Sequence, residues 1–122
     1  MKSYIIVLFL LFSCNQSNKE LTTLSFNETL SEIGILKREI MHNGYFLISN
    51  TGNNLLNIKS VEPDCHCTIS NFPKYPIKPN TTDTIHFTYS PSNLGYFQQK
   101  IIVKTNTLTS PTLLIIRGKV EE

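Results

Sequence analysis

The strongest constraint on the fold is the arrangement of apolar residues in short runs, which begins at Leu21 and continues through the rest of the chain. Asn, Gly, Pro, Thr and Ser separate these runs, and no window has the apolar stripe of a long helix, with its period of about 3.6 residues. In DTIHFTYS, residues 83–90, Ile85, Phe87 and Tyr89 alternate with polar residues and share one face of an extended strand. The chain is therefore predicted to be all-β.

Two neighbouring runs predict a β-hairpin. Residues 42–49 are rich in aromatic and β-branched types, and residues 55–61 alternate after the turn sequence NTGNN at 50–54. In the earlier run ETLSEIGILKRE, Gly34 favours two short strands with a bend between them over a short helix.

Further strands are predicted from the remaining runs. The apolar run at 112–120 is long, so its strand is expected to be central or covered on both faces. The total is about seven strands, and their turn spacing predicts a two-sheet β-sandwich in a single domain. The other predicted segments are 23–30, 75–77 and 96–105.

The N-terminal segment has the pattern of an export signal. Lys2 precedes an uncharged run whose apolar part is shorter than the roughly 20 residues of a membrane-spanning helix. The run ends in LFSC, which resembles a bacterial lipobox with Cys14 as the lipidated residue. We therefore expect a lipoprotein signal peptide at 1–13, a flexible tether at 14–22 and the folded domain at 23–122. The expected location is the cell envelope, at the periplasmic or surface face of a membrane, with the outer membrane favoured.

The charge pattern argues against nucleic acid as a partner. The whole chain has 11 Lys and Arg against 9 Asp and Glu, and loss of Lys2 with the signal peptide would bring the net charge close to zero. The basic residues are scattered, and Lys37-Arg38 is the only adjacent pair. A nucleic-acid-binding surface would need a basic patch or stripe. Nucleic-acid binding is therefore not expected.

The order of several motifs resembles the DUF1573 family, an immunoglobulin-like β-sandwich common in bacterial lipoproteins and periplasmic proteins. The resemblance implies that fold and that location, and it implies no reaction, because the family has none established. It covers most of the predicted domain through IGILKRE, FLISNTGNNLLNIKSVEPDCHCT, YPIKPNTTDTIHFTYSP, LGYFQQKIIVKTN and LLIIRGKV.

The chain departs from the family pattern at two positions where the family has glycine. His66 stands in the cysteine motif, and Asn80 follows Pro79 in a predicted turn. Glycine at such positions usually permits a positive φ, which Asn and His tolerate better than most residues. Pro79 and Asn80 therefore still suit a type II turn, with Asn80 at its third position.

The segment CHCT leaves several interpretations open. In an extended strand Cys65 and Cys67 would share a face with Cα atoms roughly 6.6 Å apart, so a site that also uses His66 needs a turn. Pro63 and Asp64 make that turn plausible. The three residues would then suit Cu(I) or Zn(II), although a fourth ligand is missing. A disulfide is the alternative in an oxidising compartment, and the least specialised interpretation is a local link that fixes the loop.

No catalytic residue is identified in the sequence, since it has no nucleophile motif, phosphate loop or paired carboxylates at a recognisable spacing. We expect a non-enzymatic interaction or accessory module that is held to the membrane by its lipid, binds an envelope protein and needs no cofactor. The alternative is a copper- or zinc-binding or thiol redox protein that uses Cys65, His66 and Cys67. No pattern indicates a small-molecule ligand.

Overall fold

The computed structural model describes residues 20–122, which form eight strands in two packed sheets. The strands are β1 (Leu24–Phe26), β2 (Leu30–Lys37), β3 (His42–Asn50), β4 (Ile58–Pro63), β5 (Thr68–Asn71), β6 (Thr82–Tyr89), β7 (Gly95–Thr105) and β8 (Thr112–Glu121). The all-β sandwich prediction is confirmed, with one strand more than the approximate count. Within the residues described, no helix is long and apolar enough to cross a membrane.

Each sheet contains four strands. The first sheet has the order β1-β3-β6-β5 and is antiparallel throughout, whereas the second has the order β2-β8-β7-β4. In the second sheet β2 runs parallel to β8, and the other pairs are antiparallel. The edge strands β4 and β5 lie on the same side of the sandwich, so the short loop between them crosses from one sheet to the other.

The core lies between the sheets and follows the alternation in the sequence. Ile85, Phe87 and Tyr89 of β6 are all buried, as the pattern at 83–90 predicts. These side chains meet the inward residues of the second sheet, because each strand contributes every second residue to the interior. The remaining core residues are Phe46, Ile48, Leu56, Val61, Ile77, Ile101, Val103, Leu114 and Ile116.

The predicted hairpin between residues 42–49 and 55–61 is wrong. Both segments contain strands, but β3 pairs with β1 and β6, whereas β4 pairs with β7 in the other sheet. The turn at 50–54 is followed by Leu56, which is buried between the sheets and forms an isolated bridge with Ile77. The chain therefore passes here from the first sheet to the second instead of folding back beside β3.

The strand predicted at 112–120 is central, as expected, because β8 lies between β2 and β7. It is not covered equally on both faces. Leu114 and Ile116 are buried, whereas Leu113 remains 45% exposed on the outer face. The predicted bend at Gly34 is a register shift within one continuous strand, β2, where Gly34 has a φ of 76°.

The domain includes the last residues of the predicted tether. Thr22 is buried, and its backbone N–H donates to the carbonyl oxygen of Asn106 at 3.1 Å. The Asn106 side chain in turn donates to the carbonyl oxygen of Glu20 at 3.0 Å. Among the residues described, Glu20 and Thr22, which the prediction assigned to the tether, therefore contact the domain. The predicted signal peptide at 1–13 and the predicted lipidation at Cys14 lie outside the described residues.

Candidate functional site

Cys65 and Cys67 are joined by a disulfide in the loop between β4 and β5. Their Cα atoms are 5.3 Å apart, which is shorter than the roughly 6.6 Å expected in an extended strand. The shortening comes from a turn in which the N–H of Thr68 donates to the carbonyl oxygen of Cys65 at 3.2 Å. The N–H of Cys67 also donates to Cys65 Sγ at 3.0 Å. The turn that the sequence pattern required is present and brings the two sulfurs together.

Contacts with both sheets hold the disulfide loop. Asp64 forms two hydrogen bonds with Lys100 of β7: its N–H donates to the Lys100 carbonyl oxygen at 2.9 Å, and its Oδ1 accepts from the Lys100 N–H at 3.1 Å. At the other end of the loop, the N–H of Ser90 donates to the carbonyl oxygen of Cys67 at 2.8 Å. The loop therefore connects the second sheet, through Lys100, to the first sheet, through Ser90.

His66 stands exposed at the tip of this loop, and its neighbours Cys65 and Cys67 are half-buried. While the disulfide is closed, neither sulfur is a thiolate that could bind a metal ion. Within residues 20–122, no three His, Cys, Asp or Glu side chains are grouped closely enough to hold a metal ion. A copper or zinc site at these three residues would require reduction of the disulfide first, and it stays a prediction.

Pro79 and Asn80 lie in a turn at the opposite end of the sandwich. The N–H of Thr81 donates to the carbonyl oxygen of Lys78 at 3.2 Å, which makes Pro79 and Asn80 the central residues of the turn. Asn80 has a φ of 60°, the left-handed conformation that the third position of a type II turn requires. The N–H of Asn80 also donates to the carbonyl oxygen of Asn50 at 2.9 Å. These residues shape the connection into β6 and carry no chemistry of their own.

A second candidate site lies on the outer face of the second sheet, where β2, β8 and β7 form an open groove of about 660 Å³. We call it the outer groove. Aromatic, aliphatic and charged groups are mixed there: its principal side chains are Glu32, Ile35, Tyr96, Gln98, Arg117 and Lys119. Tyr96 is 86% exposed and Ile35 is 67% exposed, so two large apolar surfaces face solvent at one place.

Two electrostatic contacts order the side chains of the outer groove. Arg117 forms an ion pair with Glu32, and its Nε donates to Glu32 Oε1 at 2.9 Å. The ammonium group of Lys119 lies 5.3 Å from the centre of the Tyr96 ring, within the range of a cation–π contact. Both contacts join neighbouring strands, so they hold these charged groups beside the exposed apolar ones.

Two paired glycines line the floor of the outer groove. Gly34 and Gly118 are in register on β2 and β8. A Cβ atom on Gly118 would lie 2.5 Å from the carbonyl oxygen of Gly34 and 3.0 Å from the ring of Phe97. Only glycine fits at this position, because any side chain would meet the Gly34 backbone and the Phe97 ring.

Sequence reasoning did not identify the outer groove, because its residues come from three strands distant in the chain. Two local signals were present. Arg117 interrupts the apolar run TLLIIRGKV, and Tyr96 falls on the polar face of the strand predicted at 96–105. An aromatic residue and an arginine on an outer face are typical of a binding surface. The parallel pairing of β2 with β8, which places Glu32 beside Arg117, has no signal in either local pattern.

Comparison with solved structures finds the same fold in proteins of low sequence identity. A protein of unknown function from Porphyromonas gingivalis W83 has a TM-score of 0.73 at 14% identity, with 82% of this chain and 47% of that one covered. The secreted serine protease VesC from Vibrio cholerae has a TM-score of 0.64 at 13% identity, with 81% and 23% covered. This chain therefore spans less than half the length of either protein.

A third structure matches over nearly its whole length. The ASH/PapD-like domain 7 of human CEP192 has a TM-score of 0.64 at 10% identity, with 84% of this chain and 87% of the domain covered. At these identities the likenesses show the fold alone, and they support the immunoglobulin-like class. The sequence matches none of the curated proteins with which it was compared.

The sequence profile of one family matches most of the described chain. The match runs over residues 24–120, from the start of β1 almost to the end of β8, and is described as a protein of unknown function, DUF1573. It includes both the disulfide loop and the outer groove. The chain therefore belongs to the DUF1573 family.

Proposed function

We propose that this protein is a lipid-anchored, non-enzymatic domain of the cell envelope that binds a protein partner through the outer groove. The anchor is supported by the signal-like segment that ends at Cys14. The observation that carries the binding role is the exposure of Tyr96 and Ile35 beside the Arg117–Glu32 ion pair. The location that follows is the periplasmic or surface face of a membrane, with the outer membrane favoured.

The composition of the outer groove suits a protein partner. Tyrosine and arginine are enriched at protein interfaces, and the tyrosine ring offers a large contact area at a low cost in conformational entropy. The groove also has carboxylates from Glu32 and Glu121 next to the cations of Arg117 and Lys119. A partner with an apolar side chain flanked by both kinds of charge would complement it, and a strongly charged polymer would not.

Binding through a face is favoured over strand addition at an edge. The edge strand β2 has a register shift between Glu32 and Gly34, and the edge strand β4 ends in Pro63 and is irregular between Ile58 and Ser60. Bulges and prolines prevent an added strand from continuing the ladder. The other two edges, β1 and β5, are only three and four residues long. Side-chain contacts in the groove are therefore the better route to a partner.

Photo-cross-linking in intact cells tests this role. A photoreactive phenylalanine analogue replaces Tyr96 in the full chain, and the matched control replaces Tyr45, which is 55% exposed on the outer face of the first sheet. We expect one discrete cross-linked envelope protein from position 96 and none from position 45. Equal products from both positions, or no product from either, would contradict the proposed binding surface.

The disulfide loop supports a second candidate function, a thiol redox role. A thiolate of a partner dithiol would attack one sulfur of the Cys65–Cys67 bond and expel the other as a thiolate. The second thiol of the partner would then attack this mixed disulfide and release the first sulfur. The partner would become a disulfide, and Cys65 and Cys67 would become two thiols. This role is favoured by the position of the loop, where His66 is exposed and the two cysteines are half-buried.

Thiol trapping of exported protein tests this candidate. A partner-trapped mixed disulfide formed by Cys65→Ser or Cys67→Ser would support it, and a disulfide that stays closed during growth would count against it. Mass spectrometry of the reduced protein with Cu(I) tests the metal alternative. A stoichiometric ion that the Cys65→Ser variant loses would indicate a copper site.

A further inference from the structure

The two ends of the sandwich differ sharply in charge. One end consists of the turns at 50–57, 78–81 and 105–112 and the incoming residues 20–23, and we call it the anchor-proximal end. The turns at 50–57 and 105–112 contain only uncharged residues, NTGNNLLN and TNTLTSPT, whereas Glu20 precedes β1 and Lys78 lies in the connection from β5 to β6. The two uncharged turns can approach an apolar medium with little cost of desolvating charge.

Exposed leucines project from the anchor-proximal end. Leu108 is 87% exposed in the turn between β7 and β8, Leu55 is 47% exposed between β3 and β4, and Leu21 is 46% exposed where the chain enters the domain. Leu21 and Leu108 line the same open depression. Leu108 has lost nearly all the benefit of burial, and exposed leucines that are grouped at one end of a domain mark a contact surface.

Side-chain hydrogen bonds from two asparagines fix the backbone at Leu21 and Leu55. The Asn106 side chain donates to the carbonyl oxygen of Leu55 at 2.8 Å and to that of Glu20 at 3.0 Å. The Asn54 side chain donates to the carbonyl oxygen of Leu21 at 2.9 Å. Leu21 and Leu55 are therefore presented on a preformed surface, so binding there would require little ordering of the backbone.

The length of the tether places this end at the membrane. Five residues lie between Cys14 and Glu20, and six steps of about 3.3–3.6 Å span at most about 22 Å. Glu20 lies at the anchor-proximal end, bonded to Asn106. An acyl group on Cys14 therefore keeps the leucines within a short distance of the bilayer surface. A weak apolar contact is sufficient there, because the tether makes the contact effectively intramolecular.

The opposite end is less suited to this contact. It also exposes apolar residues, Ile40 and Met41, but these follow directly after Arg38 and Glu39 in the connection from β2 to β3. The chain terminus at Glu122 lies beside Arg38, with which it forms an ion pair at 2.9 Å. Insertion of this end would desolvate several charges at once.

We propose that the anchor-proximal end docks on the membrane surface, with Leu21, Leu55 and Leu108 inserted into the interface between lipid head groups and acyl chains. This inference rests on the proposed acyl anchor and extends it. The domain would have a fixed orientation, with the disulfide loop directed away from the bilayer. Because the contact is apolar, it requires neither anionic lipid nor low salt.

The absence of tryptophan from the chain permits a direct test. The acylated full-length protein, with Leu108→Trp as its single tryptophan, is reconstituted into phosphatidylcholine vesicles. Tyr96→Trp is the matched control, because Tyr96 has the same exposure, 86% against 87%, and lies away from the anchor-proximal end. We expect a blue-shifted emission and strong quenching by brominated lipid for Leu108→Trp, with solvent-like emission for Tyr96→Trp. Added phosphatidylglycerol or higher salt should change neither signal.

The possible results separate this inference from the anchor itself. Solvent-like emission from Leu108→Trp in vesicles that retain the acylated protein would overturn the docking and leave the anchor intact. A blue shift in native membranes but not in protein-free vesicles would assign this end to a protein partner and would also overturn the docking. If protein extracted from membranes has no acyl group on Cys14, both the anchor and the docking are wrong.

Discussion

Replacement of Asn50 by alanine should destabilise the domain strongly, because this buried side chain has four hydrogen-bond partners in three segments of the chain. Asn50 is 1% exposed, and its Oδ1 accepts hydrogen bonds from Thr22 Oγ1 at 2.8 Å and from the Gly52 N–H at 3.1 Å. Its Nδ2 donates to the carbonyl oxygens of Asn54 at 2.7 Å and Ile77 at 2.8 Å. All the hydrogen-bonding capacity of the amide is therefore used.

The expected magnitude follows from the groups that the variant leaves without a partner. The bonds of Asn50 to Thr22 and Ile77 are buried, and those to Gly52 and Asn54 are partly buried. A buried polar group that loses its partner costs about 1–3 kcal/mol, and a partly solvated one costs less. The sum is about 3–6 kcal/mol, a large part of the roughly 5–15 kcal/mol that stabilises a typical domain.

Urea unfolding followed by far-ultraviolet circular dichroism measures this change on the soluble chain without its signal peptide. The matched control is Asn53→Ala, because Asn53 is exposed in the same turn and should change the free energy of unfolding by less than about 0.5 kcal/mol. A loss for Asn50→Ala that is no larger than that of the control would refute the role assigned to the buried amide.

Three other changes have defined outcomes. Burial raises the pKa of the Tyr89 phenol, so the unfolded chain releases this proton first and the free energy of unfolding should fall above about pH 10. In unfolding measurements across that range, the free energy of unfolding should fall less for Tyr89→Phe than for the unsubstituted protein. Asn80→Val should cost about 1–2 kcal/mol in thermal unfolding, whereas Asn80→Gly should be nearly neutral, because φ is 60° there. Equal effects would exclude backbone strain as the cause. The double variant Cys65→Ser, Cys67→Ser should lower the free energy of unfolding in urea by less than about 2 kcal/mol, because the closed loop is short. A decrease as large as that for Asn50→Ala would show that the disulfide does more than fix its loop.

The inward face of each strand was the part of the fold most accessible from sequence. Ile85, Phe87 and Tyr89 are buried as their alternation predicts, because a strand packed on one face has a period of two. Ile58 and Val61 both pack in the core despite their odd spacing, and the register shift between Ile58 and Ser60 explains how. The local sequence pattern was sufficient to identify the buried residues wherever one face of a strand packs against the core.

Strand pairing was less accessible, because it depends on contacts between distant segments. Residues 50–54 have the composition of a hairpin turn. The chain nevertheless continues to the second sheet, and Leu56 is buried between the two sheets. Strand β5, Thr68–Asn71, was not predicted at all, since it is four residues long and only Ile69 in it is a large apolar residue. The outer groove depends on the parallel pairing of β2 with β8, which local sequence does not encode.

Both proposals depend on the acyl group at Cys14, and the intact mass of protein extracted from membranes tests it most directly. The predicted mass is that of a chain that begins at Cys14, carries an acyl modification and lacks two hydrogens, as the Cys65–Cys67 disulfide requires. A chain that retains residues 1–13, or one that begins at Cys14 without a lipid, would contradict the account.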